Sequence, residues 1–392
     1  MPLEFLPTRQ AAQSLIDAIR PDQYAQSRNH LSGAVTCLSP YITHGIVNLP
    51  EVFERVHQRH PLQVQDKLVF EFGWREYFHH VWRERGEGIF SSLHPGPLPD
   101  AAYATSVPAD IREGATGVPV IDMAVQTLYQ TGYLHNHARM WLASYVVHVR
   151  KVHWRAGADW LYAHLLDGDL ASNHLSWQWV AGTGSHKPYL FNADNVARYA
   201  PPAWHSPGSL IDQTYEALDA LARDRAPARG LETEKSPLVQ ARVEPALSGV
   251  PLCEEAGATP RTLDVAGRDV WLLHPWSLGE ACTALPQETV VLGLLVSDFH
   301  HAWPWSERRW RFVISRMKEL ADCTWRSDAL TIAQALKSAR SVRTTDDPHL
   351  QPWLQQLAHC EPAPSLFPAV ERRCDSFSAW WRHATHNLHK LC

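Results

Sequence analysis

The 392-residue sequence is short of methionine, with four in all, and its seven cysteines include no CxxC pair. An odd cysteine count without metal-type spacing excludes a disulfide scaffold and points to reduced thiols, hence to a cytoplasmic protein. No apolar run reaches the ~18 residues of a membrane span, and MPLEFLPTRQ lacks the charged-then-apolar order of a secretion signal. HExxH is absent and no tandem repeat is evident. Basic excess is missing as well: the net charge is −5, and residues 1–200 supply −2 of it from 16 basic and 18 acidic side chains. A nucleic-acid ligand would therefore need a local basic groove, because phosphate contacts supply most of such affinity. What is present is 45% apolar residues, 20% charged residues, and a high count of Trp (17), His (23) and Pro (28). Those values suit a folded chain with a sizeable core, and the length suits two domains.

Residues 1–200 read as mostly helical. Ala138, Trp141, Leu142, Tyr145, Val146 and Val149 repeat at steps of three and one, which marks one buried helix face. Val64, Leu68 and Phe72 begin a second such face that runs on through Phe78 and Trp82. Across 201–268 repeated prolines break the pattern, and only 211–222 looks helical, so a helix and an extended Pro-rich linker are expected there. Residues 269–392 alternate apolar runs of strand length (270–273, 289–296) with a helix starting near Ser306, which predicts a small α/β domain with a mostly parallel sheet. No glycine-rich dinucleotide fingerprint follows either strand. The fold class expected is α+β multidomain: an all-α unit over 1–200, a linker over 201–268 and a small α/β unit over 269–392.

Three segments gather chemistry-bearing residues. Glu71, Trp74, Arg75 and Phe78 share a helix face by their spacing; on that segment alone a solvated Glu–Arg pair beside core aromatics accounts for them. His135, Asn136, His137 and Arg139 open the helix described above. Two histidines at i,i+2 do not share a face, so no metal site is expected, while either a helix cap or an anionic ligand fits the polar cluster. Asp167-Gly168-Asp169 leads to Asn173 and then Trp177-Gln178-Trp179. The spacing does not fit a calcium loop, and a turn with a helix cap over an aromatic core explains it in isolation.

A fourth segment, Thr36-Cys37-Leu38-Ser39-Pro40-Tyr41, precedes these. Taken in order, with TGVPVIDMAVQTLYQTGYLHNHARM at 116–140 and DGDLASNHLSWQWVAGTG at 167–184, the four resemble the flavin-binding helical domain of the DNA photolyase and cryptochrome family over roughly residues 5–200. The resemblance implies a U-shaped FAD. Tyr24, Thr36, Leu38 and Ser39 would contact its phosphates, with Cys37 beside them. Arg75, Asn136, Arg139, Asp167, Asp169 and Asn173 would line the rest, an Arg139–Asp167 pair walling the isoalloxazine. Asn173 matches the residue facing the reactive flavin nitrogen; an amide there is like photolyases, whereas plant-type cryptochromes carry Asp and animal-type ones Cys.

By the same resemblance Arg28, Glu71, Trp74, Asn136, Met140 and Trp179 match positions that contact a cyclobutane pyrimidine dimer. The His-Asn pair is more like dimer repair than six-four photoproduct repair. Trp177 and Trp154 match the first two members of the family's electron-transfer chain, and Tyr103 is the nearest candidate for the third. The implied activity is that of a deoxyribodipyrimidine photo-lyase, a carbon–carbon lyase acting on UV-damaged DNA of single or double strands. The alternative is a cryptochrome-like blue-light photoreceptor read by a protein partner, and a third reading is a non-photochemical flavoprotein. Departures are His137 in place of a phosphate-binding Arg, Leu175-Ser176 in place of two glycines, and GSHKPYLFN at 184–192; all weigh against tight duplex binding. The α/β domain that usually leads the family's chains, with its antenna pigment, is expected here after the helical one. LFPAVERRCDSFSAWWRHA at 366–384 faintly resembles the end of that domain. No antenna chromophore can be inferred.

Overall fold

The computed structural model describes residues 4–185, 187–225, 241–281 and 283–386. Residues 226–240 of the expected linker, and His186 of the 184–192 segment, lie outside them. The first part of the chain is helical: α1 Arg9–Ala18, α2 Pro21–Ser27, α3 Ser39–Thr43, α4 Leu49–His57, α5 Lys67–Arg85, α6 Ala109–Arg112, α7 Pro119–Thr131, α8 Asn136–Ser144, α9 Trp154–His164, α10 Leu170–Ala181, α11 Ala193–Tyr199 and α12 Tyr215–Arg223. Local sequence sets the ends. Pro119 pre-forms the first turn of α7, and Gly132, at φ 69°, takes the left-handed conformation that closes it. Asp169 caps α10 by accepting the Ser172 N–H at 2.8 Å, and Gly182 closes it at φ 80°.

The expected face at 138–149 is buried throughout, although α8 ends at Ser144 and a π-type turn carries the chain over Tyr145–Val149. α5 starts at Lys67, so Val64 belongs to the preceding loop rather than to the helix; Asp66 takes the cap position and Leu68, Phe72 and Trp82 are buried. The helix read at 211–222 forms over Tyr215–Arg223.

Residues 241–268 run against both parts of the molecule. Glu244 accepts hydrogen bonds from Arg112 (2.5 Å) and Trp160 (3.0 Å) and meets His164 at 3.1 Å. β1 (Leu247–Ser248) then pairs with β4 (Trp305–Ser306). The five remaining strands are β2 Asp269–Leu273, β3 Val290–Val296, β5 Cys323–Ser327, β6 Ser341–Thr345 and β7 His359–Glu361. They form one sheet of order β5-β3-β2-β6-β7, every pair parallel, with β2 and β6 at the reversal of strand order. Its helices are α13 Ser297–Ala302, α14 Glu307–Leu320, α15 Ala329–Leu336 and α16 Gln351–Leu357, while α17 Phe377–Ala384 packs on α5.

The apolar cores do not follow the sequence boundary. One cluster runs from α1, α4 and α5 straight into the sheet; the other fills the space among α7 to α10. Where the parts meet, the loops after β2 and β6 press on the 167–170 loop. Trp276 stacks on His349 (4.4 Å between rings, 11° apart), and His349 Nε2 accepts the Leu170 N–H at 3.2 Å while its Nδ1 meets Asp347 at 2.7 Å. Arg309 of α14, fully buried, donates to the Gly168 carbonyl at 2.5 Å and the Tyr162 carbonyl at 3.2 Å, its guanidinium 3.8 Å from the Trp305 ring centre. His44 lies between the carbonyls of Pro275 (2.6 Å) and Leu166 (2.8 Å).

Candidate functional site

A cavity of about 290 Å³ opens among α2, α3, α5, α8 and α10. All four sequence segments reach it, with Tyr24 of α2 beside them: Thr36 and Ser39; Glu71, Trp74 and Arg75; Asn136, Arg139 and Met140; Asp167, Asn173 and Trp177. Apolar side chains complete the wall, including Ile42, Leu49, Phe72 and Val180. Of these only Val180 falls within a quoted motif, and for the others helical periodicity was the available signal.

Charge in the cavity is paired. Arg139 Nη2 donates to both oxygens of Asp167 at 3.0 and 2.7 Å, and its Nε donates to the Leu134 carbonyl at 2.8 Å, which holds the guanidinium plane still. Asp169 stands behind the wall, 2% exposed, against His79 at 2.8 Å and Arg75 at 3.9 Å. Burial alone would raise its carboxyl, but His79, Arg75 and His349 together hold it well below the usual carboxylate range. Asn173 donates from Nδ2 to the Ala158 carbonyl at 2.8 Å, so its amide orientation is set from the α9 side. Burial pushes the Glu71 carboxyl up, opposed by Arg28, which meets it at 3.1 Å, and by Lys67. Burial likewise raises the Tyr24 hydroxyl, and Glu71 adds to this. Cys37 adopts a left-handed backbone, φ 52°, a conformation uncommon for a residue with a β-carbon; it turns the chain into α3 so that Thr36 and Ser39 both line the cavity.

Several expected residues lie elsewhere. Leu38 is fully buried beneath the turn and Cys37 is half-buried beside it, neither lining the cavity. Arg28 does not line the cavity and meets it from behind, its side chain on Glu71. Trp179 is 41% exposed and pairs with Tyr189 at 5.6 Å, outside the lining. Trp177 is buried against Gly157, where a β-carbon would collide with its ring. Trp154 lies one turn earlier on α9, its indole donating to Ser92 Oγ at 3.0 Å. Tyr103, half-buried, reaches the neighbourhood of Trp154 through His153, with ring centres 6.2 Å and then 5.6 Å apart.

The lining fits a flavin dinucleotide. Tyr24, Thr36, Ser39 and Arg75 supply hydroxyl and guanidinium donors suited to a diphosphate, and the Arg139–Asp167 pair with Asn173 offers a planar polar wall suited to an isoalloxazine edge. Among the described residues no group of three or more potential metal ligands occurs, and no helix is long and apolar enough to cross a membrane.

Comparison with known proteins agrees with this chemistry. A deoxyribodipyrimidine photo-lyase of Streptomyces griseus is 35% identical over 217 residues, covering 51% of this chain and 47% of that protein. A cryptochrome DASH of Oryza sativa is 30% identical over 211 residues, covering 52% of this chain and 36% of that protein. Among solved structures, a Synechocystis cryptochrome is 25% identical with a TM-score of 0.45, covering 50% of this chain and 44% of that one. The chain thus spans about half the length, or less, of these relatives. The family described as the FAD binding domain of DNA photolyase matches residues 68–206. That match takes in α5 to α11, of which α5, α8 and α10 supply most of the cavity wall, so over this segment the chain is similar to the FAD binding domain of DNA photolyase.

Proposed function

We propose that the protein is a cytoplasmic, light-driven DNA-repair flavoprotein that splits cyclobutane pyrimidine dimers. The observation that carries the reading is one cavity wall shared by two residue sets, Glu71, Trp74, Asn136 and Met140 on one hand and Arg139, Asp167 and Asn173 on the other. FAD held by the second set would, when reduced, supply an electron under blue light. The chain's own residues do the rest. Trp74 offers a flat apolar surface for a base taken out of the stack, as photolyases require. Glu71 and Asn136 hydrogen-bond its edges, with burial raising the Glu71 carboxyl against the pull of Arg28 and Lys67. Trp177, Trp154 and Tyr103 would pass electrons inward from the surface, and the sheet at 269–361 would be the counterpart of the family's leading α/β domain, placed after the helices.

The test is repair itself. Protein with its flavin chemically reduced is mixed with a dimer-containing oligonucleotide, single- or double-stranded, in blue light and in darkness. Return of base absorbance only in the light supports repair; bound flavin without repair overturns it. Trp177→Phe is expected to slow photoreduction of oxidised flavin about tenfold or more while sparing repair by pre-reduced protein, followed by flavin absorbance under blue light.

One set of observations favours the photoreceptor alternative. Glu71 is engaged by Arg28, Trp179 faces solvent, and His137, at the position of the phosphate-binding Arg, is pushed by burial and by Arg28 down to about 4, hence neutral. A protein partner rather than DNA would then read the flavin state. Dimer affinity no better than that of undamaged DNA, together with photoreducible flavin, would select this reading.

A further inference from the structure

α5 has two working faces. One brings Glu71, Trp74 and Arg75 to the cavity. The other is strapped by residues 366–384. Glu76 accepts the Leu366 N–H at 2.6 Å and the Phe367 N–H at 3.1 Å, one through each carboxylate oxygen. From there α17 crosses the same helix. The Phe377 ring stacks flat on Trp74, 4.0 Å between centres and 9° between planes, and packs edge-on to Phe70 at 4.7 Å. Trp381 lies so close over Gly73 that any β-carbon there would enter its ring, which is why a glycine interrupts an otherwise bulky helix. Trp74 lines the cavity whereas Phe377 does not, so Phe377 sits behind the indole as seen by a ligand.

We infer that Phe377 is a positioning residue for the substrate wall, holding the Trp74 indole in one orientation for a flat ligand to stack upon. The identity of that ligand as a flipped-out pyrimidine dimer rests on the function proposed above. An incoming base completes a three-layer stack whose rear layer is already in place, so the indole loses little freedom on binding. Such an aromatic layer adds orientation, which plain apolar filling of the same volume does not.

The full-length protein, loaded with FAD, is compared with Phe377→Leu, which keeps most of the volume, and Phe377→Trp, which keeps the stack. Affinity for a dimer-containing oligonucleotide is expected to fall about five- to tenfold in Phe377→Leu, with flavin content and affinity for undamaged DNA unchanged, and to return to within about twofold of the parent in Phe377→Trp. In a Trp74→Leu background Phe377→Leu is expected to change nothing further. Unaltered dimer affinity in Phe377→Leu, parallel loss of dimer and flavin, or an equal loss in the Trp74→Leu background overturns the inference. Should the parent show no preference for the dimer, the proposed function falls, and near-ultraviolet circular dichroism decides the positioning role separately. The spectral change caused by Phe377→Leu must then vanish in the Trp74→Leu background; its persistence there overturns the inference.

Discussion

The C-terminal part of the chain holds the cavity at two places by opposite means. At the 167–170 loop the grip is polar and buried: Arg309 on the Gly168 carbonyl and His349 on the Leu170 N–H, met from the helical side by His44, which bridges the carbonyls of Pro275 and Leu166. Along α5 the grip is aromatic: Phe377 on Trp74, Trp381 over Gly73. A polar contact sealed from water is close to all-or-none, because removing one partner strands the other. A ring stack is graded, because a smaller ring or chain still fills part of the space. The flavin side is thereby held rigidly and the ligand side is open to tuning.

The largest expected effect tests the rigid side. Arg309→Met strands the carbonyls of Gly168 and Tyr162 and should cost about 3 kcal/mol of stability, with flavin lost at lower denaturant than in the parent; urea unfolding followed by flavin release measures both. Next, Arg139→Gln removes the charge facing Asp167 and should weaken flavin binding about thirtyfold, roughly 2 kcal/mol, read by equilibrium dialysis. Retention of flavin at parental affinity would show that the loop backbone, not the charge pair, holds the site. On the graded side, Trp74→Ala should lower dimer affinity about tenfold, the effect of one stacked base, with flavin retained. Loss of flavin in that variant would erase the distinction between the two sides.

The smallest effect separates the grips by pH. Burial first, and then Arg309, push the His44 imidazole down to about 3. An unfolded histidine takes up its proton near 6.5, which the folded protein refuses, so this group lowers stability as pH falls from about 6.5 toward 3. His44→Asn should remove about 1 kcal/mol of that decline at pH 5.5, measured by denaturant midpoints at pH 7.5 and 5.5.

The cavity residues were legible because each motif carries its chemistry locally. Asp167, Asn173 and Trp177 lie on one loop and the helix it caps, at steps that helical geometry brings to one side. The same geometry accounts for Trp179, two positions beyond the buried Trp177: residues at i,i+2 do not share a face, so Trp179 is left in solvent. Strand runs at 270–273 and 289–296 were legible from apolar length, and the helix after Ser306 from its period. Arg309 and His349 were not, since nothing local marks them, and the resemblance over 366–384 gave Phe377 no link to the site. They reach the site through packing between segments about 140 to 300 positions apart in sequence, which no single helix or strand pattern encodes. Glu244 is a similar case: a charged residue in a Pro-rich stretch reads as solvated linker until Arg112, His164 and Trp160 are seen around it.

Sheets in which strand order reverses commonly take a small molecule in the crevice beyond the carboxyl ends of the strands at the reversal. Here that place, beyond β2 and β6, is filled by Trp276 and His349, and what reaches it from outside is the backbone of residue 170. The two parts of the chain meet as receptor and ligand do, with a peptide loop standing where other sheets of this order seat a nucleotide.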